Sequence, residues 1–460
     1  MKQYKFIILS LCSLFLLLTS CSDAEELRPN LEATMTGLSV YLPDGDKLDF
    51  AAKPDENNVI NITIEGSIKT DLTKLTMFVN VPNNVRVESE TPMGSYMDFT
   101  KPVAFDLVGP TGERKSYTVK AHILATKINV EELWRKTGSE ISFTKDNNRS
   151  VAISGDYLVV HDRAAKGAYK YYDLQTGAEA GVLSTEGMEA IDPLHMISDD
   201  AGNIVTANFL WKGNGDFKLY WWSGVDAKPA KLIEWKSDLS NDLGRKLYVK
   251  GDMEDLAYIY ATVSNENTFL RWEVKNGEVT SNEPDKVVVN HPNNKGWGVN
   301  GRVIPTELGK DANYFINSSR VVRITYMDGA DNSPIYNSEE SIQNVFHQWL
   351  PGGGHAFDYV DLNGARYLFI IEQDGKSWAR EIFSVHKMMS DPSSINTIVD
   401  LVHTRKWNDW LDFPLDSALG GANTNITGEV KAQVAEDGKS AVVAYIATNG
   451  GVQVFKVELQ

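Results

Sequence analysis

From about residue 150 onward the chain repeats one pattern six times. A strand runs into a tight turn, and a more apolar strand follows. The turns fall at Gly155-Asp156, Asp200-Ala201-Gly202, Met253-Glu254, Gly309-Lys310, Asn363-Gly364 and Asp437-Gly438. The strands after them cover 157–161, 203–209, 256–263, 312–317, 366–372 and 440–447. A third, amphipathic strand follows each, at 169–174, 218–222, 269–274, 321–326, 380–385 and 452–459. Gly177, Gly224, Gly277 and Gly329 mark turns beyond four of these. The period is about 45–55 residues, with a longer gap before the last unit, and four strands at that period are what β-propeller blades require. One such unit cannot bury its apolar faces alone, so its neighbours must cover them.

The count leaves one edge open. Units one to five have room for a fourth, outer strand, such as 231–235 or 397–401, but the sequence ends at Gln460, directly after the third strand of unit six. An open edge invites pairing with another chain. The strand-like segment 140–144 is therefore expected to close the ring as the outer strand of the last blade. Six blades is the best count, and a seventh would have to lie near 390–425. A pair of stacked sandwiches is the alternative.

Before the repeats the pattern is strict alternation. Ile60, Ile62 and Ile64 alternate with Asn61, Thr63 and Glu65. Leu75, Met77, Val79 and Val81 alternate with polar residues, with Phe78 as the exception, and Tyr117, Val119, Ala121 and Ile123 repeat the pattern. Period two with one apolar face marks half-buried antiparallel strands. Pro82-Asn83-Asn84 and Gly109-Pro110-Thr111-Gly112 are turns. These features predict a β-sandwich. The stretch from Asp98-Phe99-Thr100-Lys101-Pro102 to Tyr117-Thr118-Val119 resembles the last hairpin of Ig-like modules near the N-terminus of Bacteroidetes surface proteins, which usually serve as stalks. The expected organisation is a leader at 1–20, an acidic tether at 21–33, an Ig-like β-sandwich at 34–126 and a β-propeller at 127–460.

Lys2 and Lys5 precede an apolar run at 6–18, and Leu18-Thr19-Ser20-Cys21 follows. A basic start, an apolar stretch too short for the ~20 residues of a membrane-spanning helix, and a small-residue cleavage site make a secretory signal. With Cys21 at the cleavage position, the segment resembles the lipobox of bacterial lipoproteins. That resemblance implies diacylation of Cys21 and attachment to a membrane by lipid. Cys12 leaves with the leader, so the mature chain would hold one acylated cysteine and no disulfide. Ser22-Asp23-Ala24-Glu25-Glu26 resembles the acidic signal that sends Bacteroidetes lipoproteins to the outer face of the outer membrane. The formal charge of −17 becomes −19 once Lys2 and Lys5 are lost, which argues against nucleic-acid partners and a basic membrane-binding face. Over its mature length the chain is similar to uncharacterised Bacteroidetes surface lipoproteins with an Ig-like module and a propeller.

No catalytic signature emerges. Eight histidines are scattered without HExxH or helical i, i+4 spacing. His347 and His355 flank Trp349 and the run Gly352-Gly353-Gly354 without an evident third ligand, and no thiolates remain for zinc. Acidic turns such as Asp44-Gly45-Asp46 lack the full calcium loop. Gly-x-Ser-x-Gly is absent, and the triple glycine has no Lys-Ser/Thr after it. Asp374-Gly375-Lys376-Ser377-Trp378 is similar to the Asp-box of sialidase propellers but lacks the residue between Asp and Gly. Neither catalytic nor metal residues are assigned, and no cofactor is expected.

What remains is aromatic. Of the eleven tryptophans, Trp221, Trp235 and Trp272 lie in amphipathic strands and suit packing, whereas Trp211, Trp297, Trp349, Trp407 and Trp410 lie in loops among polar residues. A flat indole stacks against the C–H face of a pyranose while nearby amides and guanidiniums bond its hydroxyls. Propeller ligands gather at a channel mouth, and the first strands are expected to start near residues 149, 192, 245, 300, 347 and 427. Asn300, Arg302, His347, Trp349 and Asn425 are therefore rim candidates, although Arg302 could equally pair with an internal acid. The expected function is binding of extracellular glycan at the outer membrane, with an outer-membrane transporter complex as a candidate partner. A glycan-degrading enzyme and a protein-binding scaffold are the alternatives.

Overall fold

The computed structural model describes residues 33–43, 45–51, 53–66, 70–125, 128–141, 150–163, 168–290, 297–317, 324–337, 354–373, 380–388, 398–403, 412–414, 428–447 and 451–460. Among them the regular structure is β-strand with short 3-10 turns, so the chain is all-β as expected. It divides into two compact units, the first ending at Ile123 and the second running Leu124–Gln460.

The first unit holds two four-stranded sheets. One is ordered Lys47–Ala51, Gly37–Tyr41, Leu75–Asn80, Tyr96–Met97, and the other Val59–Gly66, Arg114–Ala125, Val103–Val108, Arg86–Glu88. The alternation read from the sequence is the alternation of burial. Ile60, Ile62 and Ile64 are buried while Asn61 and Thr63 face water. These isoleucines share one core with Leu38, Val40, Met77, Phe105 and Val119. Each fully buried side chain of this size stabilises the fold by about 1.5–3 kcal/mol.

The second unit contains six sheets among its described residues. Sheet I runs from Val151–Ser154 through Tyr157–Asp162 and Ala168–Asp173 to Glu179–Val182. Sheet II begins at Pro193–Ser198, sheet III at Leu243–Gly251, sheet IV at Arg302–Pro305 and sheet V at Gly354–Leu362, and each continues as an antiparallel meander of strands in chain order. Sheet VI takes Gly428–Val434, Ser440–Ala447 and Gly451–Leu459, and its fourth strand is Ile128–Thr137 from the far end of the unit. We label Ile128–Thr137 β1, the six first strands β2 to β7 in chain order, and Gly451–Leu459 β8. The predicted outer strand at 231–235 lies within Ala230–Asp238, and residues 398–401 of the one predicted at 397–401 lie within Ile398–His403.

β8 pairs with β1 from Gly451 opposite Thr137 to Leu459 opposite Ile128. An N-terminal strand therefore does complete the last sheet, but it is not the expected segment 140–144. Glu140 and Ile141 lie in the turn after β1. The alternation of 128–137 is broken by a bulge: Val454 pairs with Trp134 and Phe455 with Glu132, so Leu133 is skipped and the pattern shifts by one residue there.

Successive sheets stack through aromatic pairs. Tyr169 of sheet I meets Trp222 of sheet II at 5.3 Å, and Phe217 stacks on Trp272 of sheet III at 5.6 Å. Phe269 meets Tyr314 of sheet IV at 5.6 Å, and Phe315 meets Phe357 of sheet V at 5.2 Å. Between the last sheet and the first, Trp134 of β1 donates its indole N–H to Leu174 O at 2.9 Å. The sheets thus follow one another around a ring with their first strands innermost, a propeller-like arrangement.

Candidate functional site

The innermost strands carry polar residues where an ordinary buried strand would be apolar. On β4, Lys246, Tyr248 and Lys250 alternate with Leu247 and Val249. On β7, Glu429, Lys431 and Gln433 alternate with Val430 and Ala432. Alternate residues of a strand share one face, so each strand presents a polar row.

The first layer of the channel centres on Glu429, which is fully buried. His195 Nε2 lies 2.5 Å from Glu429 Oε2, Lys246 Nζ 2.7 Å from the same oxygen, and Arg302 Nη1 2.5 Å from Oε1. Leu247 N–H donates to His195 Nδ1 at 3.1 Å, so that nitrogen carries no proton. His195 is therefore a neutral ring donating from Nε2, and burial pushes its pKa down to about 4. Burial alone would raise the Glu429 carboxyl, but Arg302 and Lys246 beside it outweigh that and hold it well below the usual carboxylate range. The result is one ionised acid between two fixed cations.

A second layer joins Tyr248, Asp358 of β6 and Lys431. Tyr248 donates its hydroxyl to Asp358 Oδ1 at 3.1 Å, and Ala432 N–H donates to Oδ2 at 2.9 Å. Beyond it, where the inner strands end, a cavity of about 210 Å³ opens. Lys250 bonds Asp200 at 3.0 Å on its wall, and Arg366 makes a two-pronged bridge to Asp361 at 2.8 Å per prong. Among the described residues, no group of three or more His, Cys, Asp or Glu is placed to hold a metal ion.

The opposite end, where the inner strands begin, carries Trp211. The residue is 65% exposed, on a 3-10 turn Trp211–Gly213 between the second and third strands of sheet II. Leu210 bridges to Leu243, the first residue of β4, which fixes the turn beside the inner strand. Lys212 sits at φ 58°, a left-handed conformation that a side chain adopts at a cost, and its N–H is held by Asp242 Oδ1 at 2.9 Å. Asp242 also receives Arg245 at 2.8 Å, Arg245 lies 4.8 Å from the Phe209 ring, and Phe209 meets Trp211 edge-on at 6.1 Å. The tryptophan is exposed but braced.

The other expected site residues divide. Trp297 offers no open face. It is fully buried in the core, its indole N–H donates to Val263 O at 2.9 Å, and Gly301 packs against its ring, which corrects its reading as a loop platform. Asn300 is 7% exposed. Arg302 is 2% exposed and bound to Glu429, so the internal pairing is the one found. His347, Trp349, Trp407, Trp410, Asn425 and Cys21 lie outside the described residues. The channel groups Lys246, Tyr248, Asp358, Glu429 and Lys431 were missed. Their signal was charge at alternating positions inside otherwise apolar strands.

The ring of sheets and its polar axis define an all-β, propeller-like protein. The model of the family described as "Domain of unknown function (DUF8500)" matches residues 137–454, and the chain belongs to that family. No curated protein matches the sequence. Among solved structures, it is similar to a DUF4623 family protein from Bacteroides eggerthii, at 15% identity and a TM-score of 0.54, over 93% of this chain and 98% of that one. A protein of unknown function from Bacteroides thetaiotaomicron aligns at 12% identity and a TM-score of 0.43, over 92% and 90% of the two chains. The PQQ-bound aldose sugar dehydrogenase of Streptomyces coelicolor aligns at 10% identity and 0.40, over 73% and 99%. The first likeness speaks to fold alone, and the other two carry no argument.

Proposed function

We propose that this protein is a cell-surface lipoprotein that binds extracellular glycan. In this reading Cys21 carries the lipid, at the outer face of the outer membrane. The first unit is an Ig-like stalk, and the second is a six-bladed propeller that reads the ligand. The observation that carries the proposal is Trp211, whose indole is exposed yet held by a braced, left-handed turn. An indole fixed in this way can stack on a pyranose ring without first losing side-chain freedom. The enzyme alternative draws no support from Glu429 and Asp358, whose oxygens are taken by internal partners. No cofactor is invoked, and an outer-membrane transporter is the partner to which retained glycan would pass.

The test is a glycan array probed with a soluble chain starting after Cys21, followed by a product assay on any hit. Binding to one glycan class is expected, with Trp211→Ala weakening it by about tenfold or more at unchanged Tm. Silence across plant, host and microbial glycans would end the proposal.

A further inference from the structure

The cavity at the end of the inner strands is remote from Trp211. β4 runs from Leu243, beside the Trp211 turn, to Lys250 on the cavity wall. A bulge between Leu243 and Leu247 takes up part of that run, and the paired strand covers it from Val263 to Tyr258, so at ~3.3 Å per residue these points are roughly 17 Å apart. The cavity is therefore a separate feature, and its walls have unmet hydrogen-bonding needs.

The first need is a donor seeking an acceptor. The Lys431 side chain is 3% exposed, and its ammonium comes no closer than 4.0 Å to Asp358 Oδ2, beyond hydrogen-bond reach. Both Asp358 oxygens already accept, from Tyr248 and from Ala432 N–H. Asp358 and the Tyr248 ring, 5.7 Å away, offset its charge but leave its N–H donors unused, and Lys431 lines the cavity. The second is an amide: Gln433, on the same strand and the same wall, adds N–H donors beside the ammonium.

The remaining charges are compensated. Asp200 is paired with Lys250, and Asp361 with Arg366. Their carboxylates keep free lone pairs that can accept further hydrogen bonds. An anion entering here would meet Asp200 and Asp361, and a cation would meet Lys250 and Lys431. A hydroxyl satisfies the wall best, because it accepts from Lys431 or the Gln433 amide and donates to a carboxylate. The rings cannot help by stacking. Tyr248 and Tyr359 are 2% and 7% exposed, and Arg366 lies 4.7 Å from the Tyr359 ring centre. At ~30 Å³ per water the cavity has room for about seven waters, the space of one pyranose.

We infer that this cavity is a second binding site, which takes a single neutral sugar ring by hydrogen bonding alone. It does not depend on the Trp211 reading. The test is calorimetric titration of the full mature chain with glucose, galactose, mannose and N-acetylglucosamine, with glucuronate and glucosamine as charged probes. At least one neutral sugar is expected to bind in the millimolar range or tighter, and each charged probe about tenfold more weakly. Lys431→Met and Gln433→Leu should each weaken the neutral sugar about tenfold, while Trp211→Ala leaves it unchanged. Gln433→Leu carries the test should Lys431→Met fail to fold, since Gln433 is only half-buried. No heat from any neutral sugar at 50 mM, stronger binding of a charged probe, or indifference to the folded variants would overturn the site. Loss of binding on Trp211→Ala would reassign it to the other end.

Discussion

Glu429→Gln should be the most damaging isosteric change in the channel. The carboxylate is the shared partner of Lys246 and Arg302, which are 4% and 2% exposed. The amide keeps the shape but removes the charge, so both cations stay buried without their counter-ion. Breaking one partner out of a buried ion pair costs about 3–5 kcal/mol. At ~2.1 cal/mol/K per residue, for a unit of Leu124–Gln460, that amounts to a Tm lowered by about 4–7 °C. The assay is urea unfolding followed by tryptophan fluorescence, run as a double-mutant cycle with Lys246→Met. Because the methionine removes one of the stranded charges, the double variant should lose at least ~1 kcal/mol less than the sum of the single losses. Additivity within ~0.5 kcal/mol, or a Glu429→Gln variant within ~1 kcal/mol of wild type, would refute the view of Glu429 as the electrostatic hub.

Acid should weaken the fold well before the carboxylates titrate. Burial lowers His161 and His195 to about 4, so between pH 6.5 and 4 the unfolded chain binds protons that the folded chain refuses. Stability is complete above pH 6.5 and falls as pH drops to 4, by about 3 kcal/mol per histidine. His161→Phe, which removes a ring nitrogen that has no partner, should flatten that slope by about half, and an unchanged slope would contradict the assignment. Trp297→Ala should cost about 3–5 kcal/mol in urea unfolding, as befits a fully buried ring, and a loss under ~1 kcal/mol would restore it as an exposed residue. Gly451→Ala should destabilise the unit by more than ~2 kcal/mol. Gly451 has φ 130°, and a Cβ there would sit 2.1 Å from Lys136 O. A fully stable Gly451→Ala variant would place the β1–β8 seam elsewhere.

The architecture was legible because it rests on local patterns. Ile60, Ile62 and Ile64 name their own sheet face, and turns such as Asn363-Gly364 mark hairpins wherever they stand. The site was less legible because it is assembled from residues far apart in sequence. His195, Lys246, Arg302 and Glu429 each come from a different sheet, and no spacing along the chain links them. Loop position misled for Trp297, because a loop at the end of a sheet can fold inward when a carbonyl such as Val263 O awaits its N–H. It served for Trp211, where Phe209 supports one edge of the ring and leaves most of the indole in water.

The pairing of β1 with β8 also sets the order of events in folding. Trp134 and Val454 are partners across the seam, and every other sheet lies between them along the chain. Bringing together the ends of a segment of roughly 300 residues costs about 5 kcal/mol in chain entropy beyond the constant for any closure. Such distant pairing is intrinsically slow. Sheets I to V can form from neighbouring residues as soon as these exist, but β1, although made first, must wait for the last strand. Unfolding should therefore begin at this seam, and a circular permutant that joins residues 460 and 124 and opens the chain between two sheets should fold faster than the natural order.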